Sequence, residues 1–129
     1  MTRSLAFFLL LLACSTADVR NTLGAIERAQ LEAVKAFDSF DREFQLAVAE
    51  NYSYDEGKAK LAEYRKRRLE VYGLFVTVKN LLASGQAVVG LVEAGTADRK
   101  EFDLWLSSVV AASMKVRAAL AELMQWATI

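Results

Sequence analysis

The 129-residue chain has no histidine, no proline and a single cysteine, and its sixteen basic residues are matched by sixteen acidic ones. Without histidine there is neither an imidazole base nor an imidazole metal ligand. One cysteine excludes an internal disulfide, so this is not a stapled secreted scaffold. A formal charge of zero lacks the strong basic excess of a nucleic-acid binder. No glycine-rich phosphate loop follows a strand; the glycines fall inside helical patterns instead. Paired carboxylates such as Asp38 and Asp41 read as surface positions, so no catalytic residues, no cofactor and no metal site are assigned. What remains is 54% hydrophobic residues, enough apolar surface for one domain with a sizeable core.

The first residues differ in kind from the rest. Met1 to Ser4 form a short basic lead through Arg3, and Leu5 to Ala13 (LAFFLLLLA) is an uncharged apolar run of signal-peptide length. Thirteen helical residues reach about 20 Å, short of a hydrocarbon core of about 30 Å, so a processed signal fits better than a spanning helix. The only cysteine stands directly behind the run.

With Leu11, Ala13 and Cys14 in place, this segment resembles the lipobox of bacterial lipoprotein precursors. Leu12 departs from the small residue usual at its position. The resemblance covers the first fourteen or so residues and names no family for the remainder. It implies removal of residues 1–13, a lipid on Cys14, and a mature domain over 14–129 tethered to the membrane. Ser15, rather than an aspartate, implies the outer membrane, with the domain facing the periplasm. Two or three acyl chains make such an anchor effectively stable, where one would not. The competing account makes residues 1–14 the start of a buried helix and Cys14 a small core residue.

The mature part is expected to be all-α: an antiparallel, up-down-up bundle of three long helices at about 17–51, 54–94 and 98–128. In the first, Val19, Leu23, Ile26, Gln30, Ala33, Phe37, Phe40, Phe44 and Ala47 step by fours and threes, a seven-residue repeat with one polar member. Ser53 with Glu56, and Asp98 with Glu101, have capping-box spacing, and Gly95 is a natural helix stop. The second helix carries the stripe Leu61, Tyr64, Arg68, Val71, Phe75, Val78, Leu82, Gly85, Val89 and Val92, widened by Leu74, Leu81 and Val88. Two apolar rows predict the central position. The third carries Phe102, Leu106, Val109, Ser113, Val116, Leu120 and Leu123, with Trp105, Ala112, Ala119 and Trp126 beside them. Lys79, at a cost of about 3 kcal/mol in a bilayer centre, and Lys115 with Arg117 argue for a bundle rather than membrane spans.

Three features invite a functional reading. Arg65, Lys66 and Arg67 could contact anionic headgroups or an acidic partner. They could equally form a solvated face, since Glu56–Lys60 and Glu63–Arg67 are favourable four-apart pairs. Arg68, inside the apolar stripe, is expected to pair with Asp38 or Asp41 or to lie over Trp126, its stem on Phe37. Gly85 and Gly90 could admit an apolar ligand or lipid chain, or allow close approach by Trp105. Finally, Leu104 to Ile129 holds only Lys115, Arg117 and Glu122 as charges, too few for a solvent face. That surplus marks Val110, Ala111, Met124 and the tryptophans Trp105 and Trp126, of which one is expected to be exposed, as a candidate interaction surface for a second copy or another envelope protein. The function expected is that of a lipid-anchored envelope protein acting through helix packing, not an enzyme; the alternative is a small module for apolar ligands.

Overall fold

In the computed structural model, residues 18–128 are described. Among them three helices account for nearly everything, with none in a strand: α1 (Val19–Asn51), α2 (Tyr54–Glu93) and α3 (Arg99–Trp126). The leader and Cys14 lie outside the described residues. Each boundary has a local cause. The Glu56 amide donates to Ser53 Oγ at 3.4 Å, and the Glu101 amide to Asp98 Oδ1 at 3.3 Å, so both expected caps form. At the far end of α2, Gly95 takes φ +75°, the left-handed region where a side chain is strained. Its amide bonds to the Val92 carbonyl, and the Thr96 amide to the Leu91 carbonyl at 2.9 Å, closing a Schellman motif.

The buried residues follow the seven-residue pattern. Val19, Leu23, Ile26, Phe37, Phe44 and Val48 are buried on α1; Tyr64, Val71, Phe75, Val78, Leu82 and Val89 on α2; Phe102, Trp105, Leu106, Val109, Val116 and Leu123 on α3. Gln30, the one polar member of the α1 stripe, reaches across to the Phe75 carbonyl at 3.4 Å. Its place in an apolar row thereby becomes a cross-helix bond.

α2 packs against both other helices, α3 most extensively. Against α1, Arg20 near one helix start binds Glu93 at the other helix end, Glu27 meets Gln86, and Val48 lies beside Gly57. Against α3, Trp105 meets Gly85 and Trp126 meets Tyr64. The two-rowed face expected of a central helix is present, with Leu74, Leu81 and Val88 half-buried beside the main row.

Candidate functional site

At one end of the molecule an aromatic and ionic cluster joins all three helices. The Tyr64 hydroxyl donates to Asp41 Oδ1 at 2.7 Å, and Arg68 Nη1 reaches the same oxygen at 3.2 Å. Of the two acids expected for Arg68, Asp41 is the partner. The Phe44 and Tyr64 rings lie 4.3 Å apart, and the Trp126 ring stacks on Tyr64 at 6.3 Å. Arg68 does not cover Trp126; Lys60 at 4.3 Å and Arg67 at 4.8 Å do. Burial, with Asp41 as hydrogen-bond acceptor and negative neighbour, pushes the Tyr64 phenol well above the ordinary tyrosine range. Tyr72 is raised too, by burial first and then by the negative charge of Asp41, without a hydrogen bond to it. A neutral, bonded phenol between a carboxylate and a stacked indole is a packing device. So raised, the phenol stays protonated near neutrality.

The basic run divides accordingly. Arg67 is half-buried against Trp126 and pairs with Glu63 at 3.3 Å. Arg65 and Lys66 are exposed, and among the described residues no carboxylate lies within ion-pair distance of either. Arg65 and Lys58 border an open cleft with Tyr52 and Tyr54 at the α1–α2 turn.

The expected interaction surface needs correction. Trp105 is only 7% exposed. Its indole fills the gap left by Gly85, where an added methyl group would overlap the ring, and its Nε1 donates to the Leu81 carbonyl at 2.6 Å. The same ring closes the ligand space expected near Gly85, and Gly90 faces outward with nothing near it. Trp126 is half-buried in the aromatic cluster, and Val110 is half-buried. Met124 is exposed. The outward face of α3 is instead formed by Leu104, Ser107, Ala111, Met114, Ala118 and Ala121, all exposed and spaced by threes and fours. Leu104 is 63% exposed and Met114 55%. Ala111 belongs both to this row and to the expected surface. Both α2 and α3 are apolar enough over 18 residues to cross a membrane by length and composition, and only 28% of each such stretch is buried.

A second space opens between α1 and α3. It has a volume of about 350 Å³, floored by Ile26, Ala29 and Ala33 on one side and Val109, Val110 and Leu120 on the other. The alanines at 29, 33 and 36 share one face of α1 at spacings of four and three and line the space with short side chains. That spacing is visible in the sequence, but the gap it makes is not.

Among the described residues, no group of three or more acids or thiols is placed to hold a metal ion. Comparison with family models, with curated proteins and with solved structures finds no match to this chain.

Proposed function

We propose that this chain is a lipid-anchored protein of the bacterial cell envelope, held through Cys14 at the outer membrane and facing the periplasm. Its role is structural or interactive, exercised through helix packing, and its three helices form an up-down-up bundle. The pairing of Arg20 with Glu93, of Tyr64 with Asp41, and of Trp105 with Gly85 supports that order of directions. The basic lead, the leucine-rich run and the lone cysteine support the anchor.

One observation carries the interactive role: the uncharged, exposed row Leu104–Ala121 on α3. Single exposed apolar residues are ordinary, whereas a continuous row along a helix is what a partner covers. The row repeats every seven residues, the spacing at which a second helix seats its side chains. The partner is a second copy of this chain or another envelope protein.

A photo-reactive benzoylphenylalanine at Ala111, in cells making the full chain, tests this. A discrete cross-linked species in the membrane fraction is expected, lost in Met114→Glu while the chain stays with the membrane. No adduct, or the same adduct from a probe at the exposed Lys58, would overturn the reading.

A further inference from the structure

The α1–α3 groove has a polar margin that the packing of the bundle does not use. Arg117 is half-buried at its edge, and among the described residues no carboxylate lies within ion-pair distance of it. Ser113, also half-buried in the groove, stands one turn before Arg117, so the two side chains share a helix face. The exposed hydroxyls of Ser84 and Ser108 bond back to carbonyls four residues earlier; among the described residues that of Ser113 has no partner. A cation and a free hydroxyl therefore sit together beside an apolar trough. Glu32 and Gln30 also border the space: Glu32 is exposed to water, and Gln30 is committed to the Phe75 carbonyl.

Size and shape restrict what fits. A volume of about 350 Å³ lies at the small end of ligand pockets, which run from about 300 to 1,000 Å³. From Ile26 to Ala36 the trough follows α1 for about 15 Å. An extended chain of about a dozen carbons has that length. The floor is aliphatic, with no ring to stack on an aromatic ligand.

We propose that this groove binds a single-chain carboxylate amphiphile, a medium-chain fatty acid. Arg117 and Ser113 donate to the carboxylate, and Ile26, Ala33 and Val110 receive the chain. The site is separate from the space at Gly85, and it stands whether or not Cys14 carries an anchor.

The test is calorimetric titration of the full chain carrying Cys14→Ser, so that no anchor can enter the groove, with dodecanoate below its micelle concentration. One molecule per chain is expected. Arg117→Gln should weaken dodecanoate about tenfold, the share of one charge-assisted contact, and leave dodecanol unchanged. Ala33→Phe should abolish binding of both, with the circular dichroism and urea midpoint of each variant confirming the fold. Equal affinity for dodecyltrimethylammonium would overturn the proposal, since Arg117 would then select nothing. Unsaturable uptake, or full binding by Ala33→Phe, would do the same. So would a dimer in solution whose dissociation alone opens the groove, because a second copy would then be its occupant.

Discussion

Small residues stand on both sides of α3 and have opposite consequences. On the α2 side, Gly85 receives the six-membered ring of Trp105, whose indole nitrogen binds the Leu81 carbonyl, and the seam closes. On the α1 side, Ala29 and Ala33 line a groove with Val109 and Val110 on its other wall, and a volume of about 350 Å³ stays open. A small residue in a helix face is thus a permission rather than a feature. A large side chain opposite turns it into tight packing, and its absence leaves a space. Protein interiors are dense enough that both outcomes have measurable costs.

The largest effect expected from breaking that contrast is Trp105→Ala. It empties the closed seam and should cost about 3–5 kcal/mol of stability in urea unfolding, the range for removing a buried aromatic side chain. Gly85→Ala comes next. The added methyl must displace the indole, so it should cost about 1–3 kcal/mol despite alanine's better helix propensity, with a changed Trp fluorescence maximum as its signature. Ala33→Leu is the mirror experiment. It grows into open space and should change stability by less than about 1 kcal/mol in either direction. If Gly85→Ala and Ala33→Leu prove alike, the two sides of α3 do not differ as described.

A different pair of ends gives a pH prediction. The end around Tyr64 is ionic and aromatic, whereas in the seam at Trp105 the indole binds a backbone carbonyl. Because the Tyr64 phenol is raised in the folded chain, the unfolded chain loses that proton first as pH climbs. Stability is therefore whole below the ordinary tyrosine pKa of about 10 and falls above it. Tyr64→Phe should flatten this fall, leaving the smaller part due to Tyr72, and should cost about 1–2 kcal/mol at neutral pH for the lost bond to Asp41.

The helices and their caps were legible because they depend on local chemistry. Ser53, Asp98 and Gly95 act within their own turns, and the threes and fours of Val19 through Phe44 need no knowledge of a neighbour. The Trp105–Gly85 pairing could be read as well, since a gap in an apolar row calls for a complement, whereas the charge of Arg68 within such a row left Asp38, Asp41 and Trp126 open until the structure selected Asp41. The surface of α3 was not legible in the same way. Trp105 and Trp126 flank the seam at an angle from which a side chain can turn inward or outward, and only the room at Gly85 and the rings of Tyr64 and Phe44 decide it. The groove was least legible of all. It depends on the distance between two helices that are not consecutive, which no pattern within either one encodes.

Cys14, outside the described residues, carries both the proposed compartment and the proposed envelope partner. The direct measurement is the intact mass of the chain and of Cys14→Ser, each recovered from the membrane fraction of a Gram-negative host. A mature chain starting at Cys14 with added acyl mass, and no such species in the variant, is the result expected. A full-length, unmodified chain in the cytosol would contradict the anchor and, with it, the envelope role.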